Sequence, residues 1–239
     1  AKRPDGFHEI DSIVQTIDLF DKILLKKNRS SGICLECNCK ELADTNSNLA
    51  VKAANAFKAY TNISCGIDVI LEKNIPMQAG LGGGSSNAAS VILGLNRLFN
   101  CGLSREELSA IASGIGSDVP LFIYGGTVRM TGRGEIINPI IDTNKLYYVI
   151  IKPDEGVSTT WAYKELDKRK EHSSIQTGDL AQHAIESKDL ERLIKLLHND
   201  FQYVVSSVSN EVAHAIDILQ SVGSDNVLLA GSGSAVAGI

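Results

Sequence analysis

The sequence lacks the features that mark several large classes of protein. No apolar run approaches the ~20 residues needed to cross a bilayer, and the N-terminal residues carry no signal-peptide pattern. Basic residues number 23 against 28 acidic ones, and the resulting net charge of −5 argues against a nucleic acid as partner. The five cysteines are an odd number in a chain of 239 residues, which is too long to depend on disulfides. We therefore expect a soluble protein with reduced thiols and with neither a membrane nor a nucleic acid as partner.

Aromatic residues are also sparse, at 5%, whereas glycine occupies 21 positions. The apolar pattern predicts strands and helices in mixed order. Strands are predicted in residues 10–27, 66–71, 120–124, 127–131, 135–138, 147–151 and 227–230. Helices are predicted in residues 48–60, 85–101, 104–112, 189–198 and 210–221, and a solvated loop in 167–178. Because strands and helices do not alternate regularly, we predict an α+β fold with two domains, residues 1–140 and 141–239.

A glycine-rich loop is the most informative feature. Four glycines lie within residues 80–84, between a predicted strand and an amphipathic helix, and two serines follow them. Glycine lets the backbone approach a ligand closely, and the first turn of a helix offers unpaired N–H groups and a positive dipole. This arrangement favours binding of a di- or triphosphate. The loop lacks the Gly-Lys-Ser/Thr ending of a Walker A motif, and the plainer alternative is a flexible turn.

Four segments carry a resemblance to a known family. Residues 76–89, PMQAGLGGGSSNAA, resemble the second motif of the galactokinase, homoserine, mevalonate and phosphomevalonate kinase superfamily. The segment 230–234, AGSGS, resembles the third motif of that superfamily. Residues 2–9, KRPDGFHE, and 116–120, GSDVP, are similar to signatures of one branch, whose acceptor alcohol is linked to cytidine diphosphate.

The resemblance implies an enzyme that transfers the γ-phosphate of ATP to an alcohol, with Mg²⁺ as cofactor and a cytidine-diphosphate-linked methylerythritol as acceptor. It implies an N-terminal nucleotide-binding domain, a C-terminal α+β domain and an active site in the cleft between them. A bacterial member would be cytoplasmic and a eukaryotic one would lie in the plastid stroma. Whether the protein is a monomer or a homodimer is left open.

The resemblance also assigns residues to roles. The residues implied to bind ATP are Asn48, Pro76, Gly80, Leu81, Gly82, Gly83, Gly84, Ser85 and Ser86. The residues implied to bind the acceptor are Phe7, His8, Tyr163, Gly231, Ser232 and Gly233. Asp118 is implied to be the catalytic carboxylate beside the attacking hydroxyl, and Ser86 to contact Mg²⁺.

Most of these assignments have a plainer alternative. Asp118 precedes Val-Pro and is also typical of a turn. Ser85 and Ser86 suit caps of the helix that they open, and Asn48 suits a helix start. Trp161 competes with Tyr163 for the place opposite Phe7.

Two departures from the family pattern matter. Gln78 stands where small residues are commoner. The family's opening strand, with its Pro-Ala-Lys-Ile/Leu-Asn signature and catalytic lysine, has no counterpart, and Lys2 does not take that role. The chain begins at Ala1 without Met and ends at Ile239 just after an apolar run, so we expect native segments beyond both ends.

Two other functions fit part of the sequence. A kinase of the same superfamily that acts on homoserine or mevalonate fits the glycine loop, but the Phe7-His8 segment argues against it. A nucleotide-binding module without catalysis fits as well, and Asp118 argues against that.

Cys34 and Cys37 have zinc-knuckle spacing, but no second pair follows. In a strand, Cys34 also faces away from Cys37 and Cys39, so we expect no zinc site.

Overall fold

The structure, a computed structural model, describes residues 3–42, 47–141, 145–168 and 177–239. Its strands are β1 (Ile10–Gln15), β2 (Lys22–Asn28), β3 (Ile33–Cys37), β4 (Gly66–Glu72), β5 (Thr127–Gly132), β6 (Ile136–Ile140), β7 (Val149–Ile151), β8 (Val227–Leu229) and β9 (Val236–Gly238). Its helices are α1 (Leu49–Thr61), α2 (Gly83–Phe99), α3 (Arg105–Ser113), α4 (Val119–Tyr124), α5 (Thr159–Asp167), α6 (Gly178–Glu186), α7 (Leu190–Leu196), α8 (Asp200–Ser206) and α9 (Asn210–Ser221). This mixture confirms the predicted α+β class.

The chain forms two compact units. The first unit comprises Val14–Ile75 and Gly82–Pro139, and the second comprises Ala1–Ile13, Pro76–Leu81 and Ile140–Ile239. The chain therefore leaves the first unit just before the glycine-rich loop and re-enters it within that loop. The division into domains at residue 140 stays a prediction.

The first unit is built on a sheet with the strand order β2-β4-β3, in which β4 pairs antiparallel with β2 and parallel with β3. Ile67 and Val69 of β4 are fully buried and share one core with Phe57 of α1 and with α2. The apolar face of α2 recurs at helical spacing through Val91 and Leu95, both fully buried. This burial anchors the helix behind its glycine-rich start.

The second unit contains a sheet with the order β7-β9-β8, in which both pairings are antiparallel. Its main core comprises Val205, Val212 and Leu219 of helices α8 and α9 together with Leu229 and Val236 of the sheet. A separate small core joins α6 and α7. The turn between β8 and β9 is the third glycine motif.

Most predicted elements are confirmed within a few residues. The capping box of α3 is present, with the Glu107 N–H donating to Ser104 Oγ at 3.2 Å and the Ser104 N–H donating to Glu107 Oε2 at 2.8 Å. Helices α5, α6 and α8 are not among the predicted elements. Of the predicted loop 167–178, residues 169–176 lie outside the described residues.

The strand predicted at 120–124 is wrong, because this segment is helix α4. A short apolar run bounded by glycine is compatible with a strand or with a buried helix. Pro120 lies in the first turn of α4, where its missing N–H and fixed φ favour a helix. None of the helices in the described ranges is long and apolar enough to cross a membrane. The five cysteines lie in described residues and form no disulfide there.

Candidate active site

Helix α2 begins directly after the glycine-rich loop. Gly82 is its N-cap residue, in the left-handed conformation with a φ of 66°, and no side chain caps the helix. The first N–H groups of α2 therefore lack the side-chain acceptor that many helices provide. The positive end of the dipole of this 17-residue helix lies at the same place. Loop and helix together suit an anion such as a phosphate group.

The two serines of the loop do not cap the helix. Ser86 Oγ donates instead to the Gly83 carbonyl oxygen at 2.9 Å, within the first turn. Ser85 Oγ makes no hydrogen bond to any residue that the structure describes. Because Ser86 gives its proton to a carbonyl group, its lone pairs remain available to a hard cation. The predicted Mg²⁺ contact of Ser86 stays a prediction, and the geometry is compatible with it.

Packing explains part of the demand for glycine in the loop. Gly80 has a φ of 74°, and a Cβ there would collide with the Ala230 carbonyl oxygen. A Cβ at Gly83 would lie 3.0 Å from Lys73 Nζ and 3.0 Å from Ile75 Cγ2. A side chain at either position would therefore disturb the protein itself, in addition to any ligand.

The second and third glycine motifs are adjacent within the second unit. The Ala235 N–H donates to the Ala79 carbonyl oxygen at 3.1 Å, and the Ser234 N–H donates to that of Gln78 at 3.3 Å. The structure thus brings Gly80 beside residues 231–233. From the sequence, Gly80 was predicted to bind ATP and residues 231–233 were predicted to bind the acceptor.

Side chains from α5 and from the start of α8 hold the third motif in place. Asn199 Nδ2 donates to the Gly231 carbonyl oxygen at 2.7 Å and to the Leu229 carbonyl oxygen at 2.8 Å. The hydroxyl groups of Ser232 and Thr159 lie 2.8 Å apart. The loop is therefore fixed on both sides, and the predicted acceptor contacts of residues 231–233 stay predictions.

Asp118 lies at the N-terminus of α4 and is exposed. Its φ is −91° and its ψ is −6°, and its side chain makes no capping hydrogen bond to the helix. Ser117 Oγ donates to Asp118 Oδ1 at 3.3 Å. The carboxylate thus does not stabilise the start of α4 by a capping hydrogen bond. Its catalytic role stays a prediction.

His8 and Tyr163 are in contact. Their ring centroids lie 4.5 Å apart with an interplanar angle of 27°, which is a stacked arrangement. Tyr163 also meets the edge of Phe201, with centroids 4.8 Å apart. Trp161 packs against the main core of the second unit, so Tyr163 is the aromatic residue of α5 that meets His8. Phe7 is 53% exposed and directly precedes His8 in the chain.

Asn48 is the N-cap residue of α1. Its Oδ1 accepts from the Ala50 N–H at 2.9 Å, and its Nδ2 donates to the Leu42 carbonyl oxygen at 3.0 Å. The residue is only 6% exposed. The helix-start interpretation therefore accounts for both ends of the amide, and contact with adenine stays a prediction.

A buried ion pair behind the glycine loop was not found from the sequence. Lys73 Nζ lies 2.6 Å from Asp21 Oδ2, and their side chains are 7% and 1% exposed. Asp21 Oδ1 accepts from the N–H groups of Asn74 and Ile75 at 2.6 and 2.7 Å. Burial alone would raise the pKa of Asp21, but the hydrogen bonds from Lys73, Ile75 and Asn74 outweigh it and lower this pKa. The pair fixes the chain between β4 and the glycine loop.

Three other residues that contact predicted site residues were not predicted from the sequence. Thr159 and Asp167 belong to helix α5 and Asn199 caps helix α8, and neither helix was predicted. A signal for α5 was present, because Ser158 stands three residues before Trp161, whose N–H it caps.

Comparison with known proteins shows which family the chain belongs to. Residues 48–126 match the GHMP kinases N terminal domain family. The 4-diphosphocytidyl-2-C-methyl-D-erythritol kinase of Geobacillus kaustophilus is 40% identical over 240 residues, which cover 100% of this chain and 82% of that protein. The enzyme of the same name from Synechocystis sp. is 39% identical over 253 residues, which cover 98% of this chain and 80% of that protein.

Solved structures agree. A 4-(cytidine 5'-diphospho)-2C-methyl-D-erythritol kinase superposes with a TM-score of 0.82 at 27% identity, over 100% of this chain and 83% of that one. A homoserine kinase from Cytophaga hutchinsonii superposes with a TM-score of 0.75 at 18% identity, over 91% of this chain and 75% of that one, a likeness of fold alone. The fold and the glycine-rich loop thus define a GHMP kinase. Within that class, the chain belongs to the 4-diphosphocytidyl-2-C-methyl-D-erythritol kinase family.

Proposed function

We propose that this protein is an ATP-dependent kinase that transfers the γ-phosphate to a hydroxyl of 4-diphosphocytidyl-2-C-methyl-D-erythritol, in the non-mevalonate pathway to isoprenoid precursors. Its membership of the family of kinases with that name supports the reaction. The observation that carries the proposal is the start of α2, where a glycine-rich loop leads into a long, anchored helix that no side chain caps. An uncapped helix N-terminus behind a glycine-rich loop is a common binding site for the phosphate groups of a nucleotide.

The ATP phosphates lie along residues 80–86 in this proposal, and Pro76 sets the entrance to that segment. The backbone N–H groups of the loop and of the first turn of α2 donate to phosphate oxygens. Backbone binding of this kind explains how a chain with a net charge of −5 holds a polyanion without a basic face. Asn48 holds the start of α1 near residue 42, on the adenine side of the proposed site.

Magnesium would be held mainly by the nucleotide. Within the described residues, His, Cys, Asp and Glu side chains form no cluster of three that could hold a metal ion. Mg²⁺ commonly takes only one or two protein ligands beside phosphate oxygens, so the hydroxyl groups of Ser85 and Ser86 fit this pattern. Bound there, Mg²⁺ would neutralise charge on the β- and γ-phosphates.

The reaction needs an acceptor hydroxyl in line with the γ-phosphorus and the leaving oxygen. The acceptor oxygen forms a bond to the γ-phosphorus, the bond from that phosphorus to the β,γ-bridging oxygen breaks, and ADP leaves. Asp118 orients the acceptor hydroxyl and takes its proton as the new bond forms. The Asp118 carboxylate is exposed and does not cap α4, although its position before Val-Pro suggested a role in the turn.

The acceptor is held at its cytidine end by Phe7, His8 and Tyr163, and nearer the transferred group by Gly231, Ser232 and Gly233. The aromatic ring of Phe7 would stack on the base, and the imidazole of His8 would form a hydrogen bond to the base edge. Both glycine motifs serve one ligand assembly in this proposal, because residues 78–79 are hydrogen-bonded to residues 234–235. We place the enzyme in the bacterial cytoplasm, or in a plastid stroma if the source is eukaryotic.

An acceptor-specificity assay tests this function. The full-length gene product is supplied with ATP and Mg²⁺ and with 4-diphosphocytidyl-2-C-methyl-D-erythritol, homoserine or mevalonate, and ADP release is followed with a coupled assay. Turnover only with the cytidine compound is expected. Preferred turnover of homoserine or mevalonate would replace the acceptor by another one of the superfamily, and nucleotide binding without any turnover would leave a non-catalytic module.

A further inference from the structure

His8 is held on two sides by residues of α5. Its Nε2 lies 2.6 Å from Asp167 Oδ1, and its ring stacks on Tyr163 with centroids 4.5 Å apart. The His8 and Asp167 side chains are 17% and 28% exposed, so water reaches this contact only in part. Asp167 follows Tyr163 by four residues on α5, so one helix face supplies both the stacking ring and the carboxylate.

The carboxylate determines where the imidazole proton lies. An ionised carboxylate only accepts hydrogen bonds, so the Nε2 atom of His8 must carry a hydrogen to bond with it. In a neutral imidazole the other nitrogen, Nδ1, is then an acceptor with a lone pair. Nδ1 of His8 has no hydrogen-bond partner among the residues described by the structure.

An imidazole acceptor discriminates between pyrimidines. Cytosine carries an exocyclic amine at position 4, which donates hydrogen bonds, whereas uracil carries a carbonyl oxygen there, which accepts them. With cytosine, an acceptor atom of the protein that faces position 4 receives a hydrogen bond from the amine. With uracil, the same atom faces a carbonyl oxygen, so no hydrogen bond forms and two acceptors oppose each other.

We propose that Asp167 is a positioning residue that fixes the Nε2–H tautomer of His8, so that Nδ1 selects a cytosine base over a uracil base. The selection applies to the nucleoside-diphosphate end of the acceptor, and it rests on the proposed function for the placement of the base beside His8. Tyr163 keeps the ring in the plane that this hydrogen bond needs, because the imidazole lies against its face.

The test measures base selection by binding, without turnover. The nucleotide site is first saturated with a non-hydrolysable ATP analogue and Mg²⁺, and the Kd values of CDP and UDP are then measured by calorimetry. The wild type is expected to bind CDP about tenfold more tightly than UDP, as one hydrogen bond gained or lost would give. Asp167→Asn should bring the two Kd values within about twofold of each other, because an amide can donate as well as accept and no longer fixes the tautomer.

Two further variants keep the result interpretable. Glu165→Gln removes the same charge from the same helix but contacts Lys168 instead of His8, and it should leave the preference unchanged. Asp167→Glu keeps an acceptor and should retain a preference for CDP, which a general loss of folding in the first variant would not predict.

Nitrogen-15 NMR of histidine-labelled protein gives an independent reading of the tautomer. The signals of His8, assigned by their loss in His8→Gln, should show a protonated Nε2 and an unprotonated Nδ1 in the wild type. A proton on Nδ1, or a CDP preference that survives Asp167→Asn, would overturn the proposal. If CDP is preferred through Asp167 but the full acceptor is not phosphorylated, the proposed function fails and this inference stands.

Discussion

At the scale of single residues, the question for Asp118 is whether it forms a turn or takes part in catalysis. Sequence position alone suggested a turn former, since the residue precedes Val-Pro. In the structure, its side chain makes no capping bond and receives a hydrogen bond from Ser117 at 3.3 Å. A carboxylate that the fold does not use at an exposed position is available for the acceptor hydroxyl.

Replacing Asp118 by Asn tests this role. We expect kcat to fall by about 10²–10⁴, the usual size of general-base assistance, because Asn keeps the shape but cannot take the proton. The KM for ATP should change little, since in our proposal backbone groups of residues 80–86, and not Asp118, hold the phosphates. Steady-state kinetics on the full-length gene product measures both values.

Asp217→Asn is the matched control, because Asp217 is an exposed carboxylate on α9 and the substitution is the same. It should leave kcat unchanged. If Asp118→Asn keeps more than about a tenth of the wild-type kcat, the loss is far below that of a general base and Asp118 is a turn residue.

Residue roles were only partly predictable from sequence. The glycine-rich loop could be found because four glycines directly before an amphipathic helix pattern are rare in an ordinary turn and typical of a phosphate-binding loop. The capping role of Asn48 and the stacking of Tyr163 on His8 depend on which residues meet in space. Tyr163 and His8 are 155 positions apart, and no local pattern reports such a contact.

At the scale of elements, strong periodicity was reliable and short apolar runs were not. Helix α2 was predictable because its buried residues recur at helical spacing over 17 residues. Helix α4 has six residues, of which Val119, Pro120, Leu121 and Ile123 are buried, so its pattern is nearly continuous. Buried packing on several sides removes the polar positions from which a period is recognised.

The buried Asp21–Lys73 pair gives a stability prediction at this scale. Asp21→Asn leaves Lys73 charged and without its carboxylate, so the free energy of unfolding at pH 7 should fall by about 3 kcal/mol. The pKa of Asp21 is lowered on folding, so its contribution is complete above the ordinary value of 3.8 and is lost as pH falls through the lower folded value. The variant should therefore lose less stability than the wild type between about pH 5 and pH 2.

Urea unfolding followed by circular dichroism across this pH range checks the prediction. The control is Glu72→Gln, which removes an ion pair between β2 and β4 that is exposed, with Lys22 and Glu72 at 64% and 52%. An exposed pair contributes about 0–1 kcal/mol, so this variant should differ little from the wild type. Equal losses in both variants would show that the Asp21–Lys73 pair is no more important than a surface pair.

At the scale of the whole molecule, class and function were predictable from the sequence, whereas the course of the chain between its two compact units was not. Irregular alternation of strands and helices indicated an α+β protein, and four short motifs indicated the superfamily and the acceptor branch. The chain nevertheless crosses between units at residues 76–81, a segment that overlaps the start of the proposed phosphate-binding residues 80–86. The glycines of this stretch indicated a ligand-binding loop, and a loop of that kind also occurs inside a single domain, so the sequence did not reveal the crossing.

The central claim is that this protein moves the γ-phosphate of ATP onto a cytidine-diphosphate-linked alcohol, and a label-transfer measurement tests it most directly. The full-length gene product is incubated with Mg²⁺, 4-diphosphocytidyl-2-C-methyl-D-erythritol and ATP labelled with radioactive phosphorus in the γ-position, and the products are separated by chromatography. We predict that the label enters the acceptor as a phosphate monoester, with one ADP formed for each ester. Label that remains in ATP, or that appears as inorganic phosphate while the acceptor stays unlabelled, would contradict the claim.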